Sequence, residues 1–114
     1  MLKQKNRLSK FQATPFLSIR EYFTAEDSPK LGVALAELNG EYGENKNSEV
    51  DQIIFVISGT LRIELDGHPY LLEEEDALMI PRGTWYFVSG EGRFLAITNP
   101  AWFFEQYETR ERQK

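Results

Sequence analysis

Short apolar runs alternate with turn residues through 51–99, DQIIFVISGTLRIELDGHPYLLEEEDALMIPRGTWYFVSGEGRFLAITN. Within 60–65 the alternation is strict: Leu61, Ile63 and Leu65 fall on one face, Arg62 and Glu64 on the other. A period of two marks a half-buried strand. Asp66-Gly67 follows as the strongest hairpin signal of the chain, with 68–73 as the returning strand. Residues 52–58 are apolar on both faces and need cover on both. Gly59 predicts a tight turn, and Glu73-Glu74-Glu75-Asp76 an acidic one. Residues 77–80 form a short buried strand ended by Pro81-Arg82-Gly83. An aromatic strand at 84–89, a turn at Gly90-Glu91-Gly92 and a last strand at 93–98 complete the pattern before Pro100.

Upstream, 14–23 is β-rich and 25–30 is a loop. The stretch 31–38 places Val33, Leu35 and Glu37 on one face and Ala34, Ala36 and Leu38 on the other. Residues 39–51 hold two glycines and three asparagines and read as a long loop, the kind of segment that carries sites. The predicted organisation is a flexible or edge-strand arm at 1–13, a β-barrel at 14–100, and a short docked helix with a solvated tail at 101–114. Strands at this spacing make a sandwich or barrel.

The chain of 114 residues is one domain, and a hydrophobic fraction of 41% supports a packed core. No apolar run approaches the roughly 20 residues that cross a bilayer, and the basic N-terminus lacks the apolar stretch of a secretory signal. No cysteine is present, which removes disulfides, thiolate nucleophiles and Cys-based metal sites. A cytoplasmic location is the expectation. The net charge of −5 argues against nucleic acid as a partner, and Lys3, Lys5, Arg7 and Lys10 read as a solvated terminus.

Gly59-Thr60-Leu61, Asp66-Gly67, the acidic turn before Ala77 and Pro81-Arg82-Gly83 fall together in a pattern that resembles the cupin superfamily over residues 31–100. The resemblance implies an all-β fold, a single-domain cupin-type jelly-roll β-barrel with a short C-terminal helical tail. It also implies a homodimer, the common cupin habit. Cupin motifs carry a His-x-His pair and a Glu before the glycine that closes the first motif, and a last His after Pro-x-Gly. Here the Glu position is Gln52 and the last His position is Tyr86. The His pair falls on Lys46 and Ser48, or one residue earlier on Asn45 and Asn47. Transition metals want imidazole and carboxylate donors converging on one point, so the expectation is a barrel with no metal and no cofactor. Within the superfamily the chain is similar to the ethanolamine-utilisation Q-type cupins in 31–38 ending at Glu37, in Val50-Asp51-Gln52-Ile53, and in Asn99-Pro100-Ala101-Trp102. That group is associated with ethanolamine catabolism and acetate-kinase activity.

The candidate site residues follow from these positions. Tyr86 points its phenol into the barrel as donor, acid or filler, with Gln52 as its natural partner, since buried polar groups need hydrogen bonds. Glu37 is either a buried carboxylate with a raised pKa, suited to acid–base work, or an exposed strand end. Glu49 and Asp51, two apart, share a face if they lie in a strand, and read as a cation or acid–base pair or as solvated rim. Trp85 and Phe87 lie opposite Tyr86 as interface or inter-sheet core. His68, the only histidine, is a turn residue.

Three functions fit. One is a metal-free cupin binding a small polar molecule, carboxylate or sugar-like, in the barrel through Tyr86, Gln52 and Glu37. Another is a metal-independent enzyme of isomerase, epimerase or acyl-phosphate type. The last is a non-catalytic dimeric sensor or assembly module with a plugged barrel.

Overall fold

A computed structural model describes residues 1–112. Eight strands form: β1 (Lys10–Thr14), β2 (Leu17–Phe23), β3 (Gly32–Asn47), β4 (Asp51–Leu65), β5 (His68–Leu72), β6 (Ala77–Ile80), β7 (Trp85–Asn99) and β8 (Tyr107–Arg110). All pairings are antiparallel, in the order β1-β2-β3-β7-β4-β5, with β6 on β4 and β8 on β3. This is the all-β jelly roll that the family resemblance implies.

The long strands β3, β4 and β7 each serve both halves of the barrel. The first part of β3 pairs with β2, and its last residues, Glu44–Asn47, pair with β8. Likewise β4 carries β6 on its first part and β5 on its second, while β7 runs between β3 and β4 throughout. Glycines let the three strands bend together. Gly40 lies opposite Gly90, and Gly59 opposite Gly92. Gly59 has φ +87°, and a Cβ there would stand 2.1 Å from the Glu91 carbonyl oxygen. No side chain fits that approach, so the bend needs glycine. The two halves close on one core that includes Leu17, Ala36, Ile54, Leu61, Ile63 and Val88.

Several expectations need correction. Gly59 and Gly90-Glu91-Gly92 are bends inside 15-residue strands, not turns between shorter ones. Most of 39–51 is strand, because β3 runs to Asn47 and leaves only 48–50 as a turn. Of β6 only Ile80 is buried. The C-terminal segment is helical only in a single 3-10 turn, Phe104–Gln106, and then becomes β8. The hairpin at Asp66-Gly67 forms with φ of 47° and 83°, the positive values such a two-residue turn requires. Residues 10–14 form β1, an exposed edge strand. Among the described residues no helix is long and apolar enough to cross a membrane.

Candidate functional site

The bend and the register bring four cupin-motif positions to one end of the barrel. Asn45 lies opposite Tyr86 across β3 and β7, Asn47 follows two residues on, and Gln52, the second residue of β4, faces Ile80 and Thr98. Asn45, Asn47, Gln52 and Tyr86 are all buried, between 2% and 8% exposed. Of the two pairs left open by the sequence, Asn45 and Asn47 are the buried one. Lys46 points outward, with its ammonium 4.9 Å from the Trp85 ring and 3.4 Å from Glu108.

Burial forces these polar groups to find partners, and the C-terminal segment supplies many of them. Asn47 is the hub. Its Nδ2 donates to Gln52 Oε1 at 3.0 Å, and its Oδ1 accepts from Trp102 Nε1 at 3.1 Å and from Gln106 Nε2 at 2.9 Å. Gln106 Oε1 accepts the Glu49 backbone N–H at 3.2 Å, and the Gln106 carbonyl takes the Ser48 hydroxyl at 2.7 Å. Tyr107 donates to Asn45 Oδ1, and the Tyr42 and Tyr107 hydroxyls lie 3.2 Å apart. Arg110 and Arg112 fasten the outside of this segment. They lie 4.0 Å over Trp85 and 3.6 Å over Phe87 and pair with Glu44, and Arg112 also with Glu64.

Tyr86 points inward, and its hydroxyl lies beside Tyr42 and Asn47. The expected Gln52 pairing is corrected, since Gln52 accepts from Asn47 instead. Burial pushes the Tyr86 phenol well above its ordinary range, and Tyr42 and Tyr107 add to the shift. The group is therefore a neutral donor and not a base. Thr98, opposite Gln52, is also buried, and its Oγ1 has no partner.

The carboxylates do not join this group. Glu37 lies on the outer face, 3.2 Å from Lys10 Nζ and 3.5 Å from Arg93 Nε. The hydrogen bond from Lys10, with the charges of Lys10, Arg93 and Arg20, holds its pKa below the usual value, which corrects the raised pKa considered for it. It borders a surface groove of about 980 Å³ together with Gln12, Phe16, Ser58 and Thr60. Asp51 accepts from the Arg82 backbone N–H at 2.9 Å and from its guanidinium at 3.0 and 3.2 Å, and these bonds hold its pKa down. The Glu49 side chain is exposed, and the residue reaches the network only through its backbone N–H.

Sequence reasoning passed over Trp102, Gln106, Tyr107 and Tyr42. The visible signal was an aromatic and amide-bearing segment directly after a strand-ending proline, where a solvated tail needs neither.

The family profile described as a cupin domain matches residues 37–98, more than half of the chain. This chain is a cupin. It is 29% identical over 102 residues to the acetate kinase EutQ of Clostridioides difficile (strain 630), a match covering 88% of this chain and 64% of that protein. The chain thus spans less than two thirds of that relative's length. The solved Clostridium difficile EutQ protein superposes with a TM-score of 0.64 at 31% identity, covering 75% of this chain and 63% of that one. Pac13, described as a unique nucleoside dehydratase and found in Streptomyces, superposes with a TM-score of 0.88 at 14% identity, covering 97% and 91%. KdgF from Halomonas sp. gives 0.77 at 17%, covering 87% and 92%. At such low identities these last two show the fold alone.

The motif resemblance sets Gln52 and Tyr86, and in the buried register Asn45 and Asn47, where a cupin would carry metal ligands. Here the donors are amides and a phenol kept protonated by burial, and Asn47 and Gln52 are already bonded to each other. Among the described residues no group of three or more His, Cys, Asp or Glu side chains is placed to hold a metal ion. The donor set does not fit a divalent transition metal, which wants imidazole, thiolate or carboxylate.

Proposed function

We propose that this cupin is a metal-independent binding protein that takes a small, uncharged polar molecule at the barrel end formed by Asn47, Gln52 and Tyr86. One observation carries the reading: four buried positions in the motif hold neutral hydrogen-bonding side chains where a plain core would hold aliphatic ones. Burying such groups is costly unless each is matched, and the matching is directional and selective. Glu37 and Asp51 belong to the outer surface in this reading, where each is neutralised by cations.

A thermal-shift screen of small amides, polyols, sugars and carboxylates tests it, together with metal analysis of the purified protein. Uncharged polar molecules are expected to raise the melting temperature and carboxylates to leave it unchanged. A stoichiometric transition metal, or a screen in which nothing binds, overturns the reading.

The reading extends to assembly as a homodimer. Val33, Leu35, Leu95, Ile97, Ile53 and Phe55 occupy adjoining rows of the ladder, on the side of the sheet opposite the core residues Ala36, Phe94 and Ile54. A second copy covering this apolar face is the expected partner, and light scattering across a dilution series reads it.

The match to a protein named acetate kinase favours a second reading, acyl-phosphate chemistry. Incubation with acetate, ATP and magnesium, with acetyl phosphate trapped as the hydroxamate, decides between them. Turnover above a heat-killed control replaces the binding reading with the enzymatic one.

A further inference from the structure

We infer that the Gln106 carboxamide is a built-in stand-in for the ligand, and that the barrel end selects molecules carrying an amide edge: a carboxamide, urea or lactam. The inference rests on the binding function proposed above and names the ligand class.

The hydrogen-bond directions are fixed at both ends by groups that can only donate. The Trp102 indole N–H meets Asn47 at 3.1 Å, so the atom it meets is the carbonyl Oδ1. Gln106 must then present its NH₂ to that same oxygen, as it does at 2.9 Å. Its own Oε1 is left to accept from the Glu49 backbone N–H at 3.2 Å, again a group that only donates. Asn47 Nδ2 hands the pattern on to Gln52 Oε1 at 3.0 Å. The place filled by the Gln106 side chain therefore asks for one N–H donor beside one C=O acceptor.

Other chemistries fail at one contact or the other. A carboxylate sets an acceptor against Asn47 Oδ1, and the side chains bonded in the network are all neutral. An ammonium or guanidinium group satisfies Asn47 but leaves the Glu49 N–H without an acceptor. An alcohol brings a single oxygen to the two contacts, where the carboxamide brings a nitrogen to one and an oxygen to the other. An amide edge meets both.

The position suits a stand-in. Gln106 is 2% exposed although it sits in a three-residue turn near the end of the described chain. Its main chain is anchored apart from its side chain, since its carbonyl accepts the Ser48 N–H at 3.2 Å and the Ser48 hydroxyl at 2.7 Å. Removing the carboxamide leaves those anchors and the β8 pairing in place.

Gln106→Ala tests the idea, with acetamide as probe and sodium acetate and ethanol as controls at equal concentration and ionic strength. The readouts are the melting temperature and the NMR resonance of the Trp102 indole N–H. Gln106→Ala is expected to melt below the wild type. Acetamide should raise its melting temperature and move the indole resonance saturably, while acetate and ethanol do neither. The wild type should bind acetamide at least roughly tenfold more weakly, because Gln106 competes for the same place. Equal rescue by acetate, or no response specific to acetamide, overturns the inference. Should the variant not fold, the wild-type indole resonance is followed at higher acetamide concentration, and no shift beyond that with acetate overturns it equally. If a non-amide molecule moves that resonance while acetamide does not, the ligand class is wrong and barrel binding stands. If no small polar molecule moves it, both fail.

Discussion

Asn47→Ala is the sharpest perturbation of this barrel. The substitution removes a side chain that joins β3, β4 and the C-terminal segment through three hydrogen bonds. It leaves Gln106 Nε2 and Gln52 Oε1 without those partners at sites 2% and 8% exposed, whereas the Trp102 indole, 40% exposed, turns to water. A buried polar group stripped of its partner costs about 1–3 kcal/mol. Two such groups, partly relieved by water entering the space left by the amide, give a loss of about 3 kcal/mol. That is a large share of the roughly 5–15 kcal/mol that holds a domain together, and for this chain length it lowers the melting temperature by about 10–15 °C. Urea unfolding followed by far-ultraviolet circular dichroism measures it. Asn39→Ala, at an exposed position of the same strand, serves as the control and should stay within about 0.5 kcal/mol of the wild type. If Asn47→Ala unfolds at the same urea concentration as Asn39→Ala, the amide network contributes nothing net, and the reasoning about the barrel end fails with it.

Gly59→Ala combines φ +87° with a Cβ set 2.1 Å from the Glu91 carbonyl, so it should cost about 3 kcal/mol or more, whereas Gly67→Ala, with φ +83° and open space around it, should cost only about 1–2 kcal/mol, both read by urea titration. Tyr86 and Tyr107 both have phenols raised above the ordinary value of 10.0, mainly by burial. The folded form therefore holds its protons more tightly than the unfolded chain. The stability this contributes is complete below that value and is lost as pH rises through the higher folded pKa, so absorbance at 295 nm should show these two tyrosines ionising only as circular dichroism reports unfolding. Asp51, Glu37 and Glu64 have lowered pKa values, chiefly through hydrogen bonds from Arg82, Lys10 and Arg112 respectively. Their contribution is present above the ordinary carboxylate range and declines as pH falls through the lower folded values, which a urea midpoint measured against pH tests. Glu37→Gln removes an outer pair and should change stability by less than about 1 kcal/mol, with no change in any ligand response measured by thermal shift.

The barrel was legible because its signals are local. Alternation at Leu61, Ile63 and Leu65 set one strand's faces, and Asp66-Gly67 set its hairpin. Where Gly59 and Gly92 were read as turns, the same residue type serves a different need. A long strand that bends over a neighbour needs glycine for the close backbone approach, and the sequence does not say whether the chain reverses or continues. Misreading the bends shortened β4 and β7 and turned the end of β3 into a loop. Counting from the cupin glycines put Gln52 and Tyr86 at the buried end, yet left the asparagine register open, since a slip of one residue exchanges inward Asn45 and Asn47 for outward Lys46 and Ser48. Glu37 drew attention as a carboxylate at the end of an apolar stripe, but that stripe is the outer face of the sheet. Trp102 and Gln106 stayed hidden because their partners, Asn47 and Ser48, lie more than fifty residues away in sequence.

At the barrel end one amide pair, Asn47 and Gln52, joins β3 to β4, and Asn47 joins the C-terminal segment through Trp102 and Gln106. Each amide bond contributes only about 1 kcal/mol net, so the network cannot hold the C-terminal segment against the barrel end by itself. The remaining hold comes from outside, through the pairing of β8 with Glu44–Asn47 and the Arg110 and Arg112 contacts to Trp85, Phe87, Glu44 and Glu64. Holding and matching are thus separate. The outer contacts keep the segment on the barrel, and the inner amides satisfy one another beneath it. The Gln106 backbone is bonded to Ser48 independently of its side chain.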